Sequence, residues 1–122
     1  MTATLEAVID TYCRCWQEME ADERAALLAT ACADDVTYRD PTGDLVGREA
    51  LAVHIAEKAT ARPGATIARV SAVDRHHDVA RFGWHLVGAD GRTGAPSLDI
   101  VTFAPDGRLK TILGFFGPLA PL

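Results

Sequence analysis

The chain has 122 residues, 48% of them apolar, with a net charge of −5, enough for the core of one domain without disulfide or metal staples. The acidic balance argues against nucleic acid, which selects a basic surface. No run of about 20 apolar residues is present to span a membrane.

The first stretch, MTATLEAVIDTYCRC, lacks the basic start and apolar block of a secretion signal, so a cytoplasmic protein is expected. Over residues 3–19, Leu5, Val8, Ile9, Tyr12, Trp16 and Met19 recur at spacings of three and four and predict a helix with one apolar stripe. Asp22 can cap a second short helix, ERAALLATAC, that buries Leu27 and Leu28. DVTYRD reads as a strand ended by Pro41 and Gly43, and Gly47 precedes a third helix over roughly 48–61, which stops before Arg62-Pro63-Gly64. The remainder is strand-like: TIARVSAVDR, a turn near His76-His77-Asp78, VARFGWHLVG, a turn at 89–92, SLDIVTFA, the tight turn Pro105-Asp106-Gly107, and RLKTILGFFG. Three helices followed by an antiparallel meander predict one α+β domain over 1–122, with the helices packed on the concave face of a curved sheet. A pocket between sheet and helices is the natural ligand site. Phe82, Trp84 and Leu86 share one face of their strand and line it, as do Phe116 and the space left by Gly114. Trp16, Tyr38 and Val101 are further expected lining residues.

Cys13, Cys15 and Cys32 form an odd set without a secretion signal, which points to reduced thiols serving as small core residues. His76, His77 and Asp78 fall at a turn, where a solvated surface is expected rather than a metal site. No phosphate loop or nucleophile elbow is present, and neither cofactor nor metal is expected. His54, beside Leu51 and Ile55 on the third helix, is placed to face the pocket.

Three polar residues stand in apolar or constrained settings. Tyr12 lies on the apolar stripe of the first helix, with a hydroxyl that needs a partner or a rim position. Asp99 lies between Leu98 and Ile100. If it faces the helices, burial raises its pKa and a protonated carboxyl can donate to an oxyanion; if it faces outward it is solvated or paired, and strand parity does not decide. Asp40 precedes Pro41, which suits a turn first of all, and is also where a base can be held at a pocket mouth.

ACADDVTYRDPTG, GREAL, ARFGWHL and FAPDGRLKTILGFFG together resemble the SnoaL-like proteins of the nuclear transport factor 2-like superfamily over nearly the full chain. The resemblance implies a cone-shaped α+β fold and, through its outer sheet face, a homodimer. Within that superfamily the site pattern is most similar to the ketosteroid isomerases, which combine a Tyr on the first helix, an Asp before a Pro and an Asp on the next-to-last strand. Tyr12, Asp40 and Asp99 fall on those positions. What the resemblance implies is proton abstraction next to a carbonyl of a small apolar ligand, with Asp40 as base and Tyr12 and protonated Asp99 as oxyanion donors, as in an isomerase or a polyketide cyclase. A non-catalytic ligand-binding or dimerisation domain of the same fold is the alternative. The aromatic pair expected on the third helix falls instead on His54 and Ile55, leaving Tyr38 as the second tyrosine, a departure from the steroid-binding pattern. The Arg and Asp two apart on one strand that mark the superfamily's epoxide hydrolases are not matched, because Arg81 is followed at that spacing by Gly83.

Overall fold

A computed structural model describes residues 3–122. Helix α1 spans Leu5–Arg14 and begins where the Thr4 hydroxyl accepts the backbone N–H of Ala7 at 3.1 Å, satisfying one of the helix's orphan donors. The expected helix over residues 3–19 stops short. The N–H groups of Cys15 and Trp16 bond back three residues, to Tyr12 and Cys13, and tighten the last turn. The buried Arg24 then donates to the carbonyls of Cys15 (3.1 Å) and Gln17 (2.8 Å). Trp16 is therefore placed by this turn rather than by the helix. Helix α2, Ala21–Ala31, starts after Glu20, so Asp22 lies inside its first turn, where its charge suits the helix dipole, and is not the cap.

Strand β1, Cys32–Asp40, turns through Pro41 and Thr42 into β2, Gly43–Val46, a strand the sequence reading had not anticipated. Helix α3, Arg48–Ala61, follows Gly47. The expected strand TIARVSAVDR is broken in two, β3 at Thr66–Arg69 and β4 at Asp74–His76, both paired to β5, Val79–Val87. His77, with φ of 51°, makes the exposed turn between β4 and β5. Strands β6, Ser97–Phe103, and β7, Leu109–Phe115, complete a seven-stranded sheet in the order β2-β1-β7-β6-β5-β3, with β4 also on β5. The meander β5-β6-β7 is antiparallel as expected, but β7 returns beside β1 in parallel. No hairpin joins those two strands, so no tight turn dictates their direction. The result is the expected α+β architecture, with three helices against a curved, unclosed sheet.

The core lies between these layers. Ile9 of α1, Leu28 of α2, and Leu51 and Ile55 of α3 pack with Val36, Phe82, Val101, Leu109 and Ile112 of the sheet, all at most 1% exposed. Each such side chain contributes about 1.5–3 kcal/mol through burial. Two corrections follow. Phe82 and Val101, expected to line the pocket, are sealed into this core beneath it. The outer sheet face keeps Val46, Leu113 and Phe115 exposed, and it is there that the expected dimer would form. No helix among the described residues is long and apolar enough to cross a membrane.

Arg24 carries the junction between α1 and α2, because its buried charge is satisfied only by those two carbonyls. Arg24→Leu is expected to lower unfolding free energy by about 2–4 kcal/mol in a urea titration, since it leaves buried carbonyls unpaired.

Candidate active site

The register of the sheet builds the site. On its inner face, Gly43 pairs with Asp40, Gly114 with Asp99, and Asp99 with Phe82, while Arg39 beside Leu113 brings Asp40 next to Gly114. Asp40, Gly114 and Asp99 thus stand in one row across three strands. A Cβ on Gly114 would lie 3.1 Å from Asp99 Oδ1 and 3.2 Å from Asp40 Cβ. Glycine is therefore the residue that lets both acids lean over the same gap. Both acids, with Tyr12 from α1, line a cavity of about 240 Å³ between sheet and helices.

Asp99 faces the helices, which settles the parity question left open by its sequence. It is 7% exposed, and its Oδ1 accepts the indole N–H of Trp84 at 2.9 Å. Burial pushes its carboxyl up to about 7; the nearby Asp40 adds to the rise, and the Trp84 bond opposes it. Below that pH the group is a neutral acid able to donate a hydrogen bond. Tyr12 is 2% exposed, and burial followed by the Asp99 charge holds its hydroxyl well above the ordinary tyrosine range, so it stays a donor.

Asp40 both makes the turn and lines the cavity. Its Oδ1 accepts the backbone N–H and the hydroxyl of Thr42, each at 2.7 Å, the side-chain turn that Asp-Pro favours. Its Oδ2 accepts the Tyr38 hydroxyl, and the whole carboxylate lies on the cavity wall. Tyr38 lines the cavity, as expected, and its hydroxyl also holds this acid. Burial, then that hydrogen bond, raises its own pKa far above the usual value. His54 is corrected from a lining residue to a supporting one. It lies behind the wall, with its ring 5.5 Å from that of Tyr38 and 6.2 Å from that of Trp16, and its Nε2 is 3.3 Å from Thr42 Oγ1. Because that hydroxyl gives its proton to Asp40, Nε2 must be the donor toward it. A Cβ on Gly43 would come within 3.0 Å of the His54 ring, so the β1–β2 turn can close over it only with glycine there.

Trp16, Trp84 and Phe116 line the cavity as expected, Trp84 meeting Phe116 edge to face at 6.0 Å. The sequence reading missed Thr42, whose place beside Asp40 follows from turn chemistry, and Cys13, whose thiol burial pushes up to about 12. It also missed Lys58 and Arg62, which line the same cavity. Their only sequence signal was position, at and just past the end of the third helix. Among the described residues no group of three or more metal-ligating side chains is placed to hold an ion.

The arrangement offers an acid fixed by hydrogen bonds, a buried acid whose pKa is raised to about 7 and a phenol around one small apolar space. Comparison with known proteins bears on what that space is for. The model of the SnoaL-like domain family matches residues 9–112. No curated protein matches the chain. Among solved structures, a candidate isomerase of the SnoaL-like family from Agrobacterium tumefaciens is 28% identical with a TM-score of 0.83, covering 90% of this chain and 94% of that one. A protein with a ketosteroid isomerase-like fold from Catenulispora acidiphila, solved with trimethylamine, is 15% identical (TM-score 0.74; 96% and 88% covered). A candidate polyketide cyclase from Sinorhizobium meliloti is 14% identical (TM-score 0.70; 89% and 94% covered). At those two identities the likeness speaks for the fold alone.

The raised pKa of Asp99 has a stability consequence with a definite sign. The folded state keeps a proton that the unfolded chain releases near 3.8, so Asp99's contribution is fully present below about pH 4 and is lost as pH rises to about 7. Asp99→Asn imitates the neutral acid. Thermal melts from pH 4 to 8 should show the variant gaining on wild type across that window, by about 4 kcal/mol at pH 8. A constant difference at all pH values would mean that Asp99 is charged when folded.

Proposed function

The chain belongs to the SnoaL-like family, and from that premise we propose that it is an enzyme that removes a proton next to a carbonyl of a small, largely apolar molecule. Asp40 is the base in this reading. Its Oδ1 is occupied twice by Thr42, whereas Oδ2 accepts only Tyr38 and keeps a lone pair for the substrate proton. As the C–H electrons move into the carbonyl, the enolate oxygen is met by hydrogen bonds from Tyr12 and from protonated Asp99. The proton on Asp40 then returns at a different carbon, giving an isomer, or the enolate carbon attacks a second carbonyl, giving a ring. The observation that carries the reading is Asp99: a carboxyl buried in the cavity with its pKa raised to about 7, close to a second acid that is fixed by three hydrogen bonds. Two titratable groups held in unlike environments are the mark of divided acid and base roles, a pattern for which ketosteroid isomerase is itself a worked example.

A second reading is a binding domain without chemistry. The hydrogen bonds already on both Asp40 oxygens favour it, since a purely structural turn would satisfy the acid in the same way.

Turnover of simple enolisable β,γ-unsaturated ketones separates the two. Asp40→Asn should lower the rate by about 10²–10⁴-fold, and equal rates for variant and wild type would leave only the binding reading. Gly114→Ala tests the geometry. Its methyl group must push Asp99 or Asp40 aside by a few tenths of an ångström. With circular dichroism unchanged, a loss on the order of 10-fold to 10²-fold is expected in kcat, with KM much less affected.

A further inference from the structure

We infer that the ligand of this cavity is an anion: a carbonyl compound whose carboxylate sits at the mouth between Lys58 and Arg62. The inference takes only the orientation of the carbonyl end from the function proposed above. Both cations line the cavity that holds Tyr12, Asp40 and Asp99. Lys58 is half-buried on α3, four residues after His54, so it lies one helical turn, about 6 Å, along the axis from the group behind Asp40. Arg62, the residue after α3, is exposed and marks the solvent side.

Neither cation is spoken for. The ion pairs among the described residues use Arg39, Arg48, Arg69, Arg81, Arg92 and Arg108. Arg24 is bonded to carbonyls and Arg75 lies over the Phe103 ring, and the two other cations without such a partner, Arg14 and Lys110, do not line the cavity. In a chain of net charge −5, two unpaired cations at the opening of an apolar cavity are a selective feature, because like-signed charge elsewhere leaves the mouth as the attractive entry for an anion. Asp40, the base in the function proposed above, repels a second carboxylate, so an anionic ligand is placed with its charge toward Lys58 and Arg62 and its neutral carbonyl toward the acids. Between the two ends the lining is Trp16, Ile67, Trp84, Leu86 and Phe116, suited to a short hydrocarbon segment. At about 240 Å³ the cavity is below the ~300–1,000 Å³ of drug-sized ligand sites, which favours a small oxo acid. A helix-dipole role also suits cations at the end of α3, but it makes no distinction between an acid and its ester.

That distinction is the test. The probes are ω-(4-hydroxyphenyl)alkanoic acids with three-, four- and five-carbon acid chains, and their methyl esters; the phenol stands in for the enol. Trp16 and Trp84 are the chain's only tryptophans and both line the cavity, so their fluorescence reads binding without turnover. In 20 mM salt at least one acid should bind about tenfold more tightly than its ester. The advantage should shrink in 0.5 M salt and vanish in a Lys58→Gln, Arg62→Gln variant whose ester affinity is unchanged. Equal affinity of acid and ester at every chain length, failure of every acid to bind, or an advantage that survives the double substitution would each overturn the inference. Acid preference in a protein that turns over no ketone would defeat the enzyme reading and leave the anion seat standing; turnover without acid preference would do the reverse.

Discussion

The site depends on one missing side chain. Neighbouring strands lie about 4.8 Å apart, and a row of inward-facing residues would normally fill the space between Asp40 on β1 and Asp99 on β6. Gly114 on β7 leaves that space open. Two acids then share a gap walled by aromatic rings, and the free energy of the arrangement is lowest when one of them is neutral. Asp99 is the more deeply buried and its pKa is the one raised, while Asp40, at the strand end, is bonded to Thr42 and Tyr38. The division of roles follows from burial and hydrogen bonding alone.

Everything on the helical side supports that row. Arg24 ends α1 by taking the carbonyls of Cys15 and Gln17, which turns Trp16 into the cavity against Tyr38 at 5.8 Å. Tyr38, Trp16 and His54 form an aromatic cluster behind Asp40, and His54 reaches the acid through the Thr42 hydroxyl. The second tyrosine expected from the resemblance to the ketosteroid isomerases is thus engaged with Asp40. Tyr12 is left facing the cavity, and Asp99 stands as the other donor.

Much of this was legible in the residues. Periodicity located α1, the body of α3 and the meander, and the three polar residues that stood out in the sequence, Tyr12, Asp40 and Asp99, line one cavity. Residues whose role depends on a boundary were less legible. A strand pattern places Phe82 and Val101 on the inner face but does not say how far from the opening they sit, and both belong to the core beneath it. Apolar spacing alone ran α1 on to residue 19, because the residue that stops it, Arg24, lies in the next helix.

The sequence by itself determined the elements, their apolar faces and the unusual polar residues, because local backbone preference and side-chain period are properties of consecutive residues. Only the tertiary structure decided that Asp99 points inward, that Tyr38 belongs to Asp40, that β7 runs parallel to β1, and that Lys58 and Arg62 open onto the same cavity as the acids. Each of those facts depends on a register or a distance between segments remote in the chain. The burial that raises Asp99 to about 7 exists only once those segments close around it.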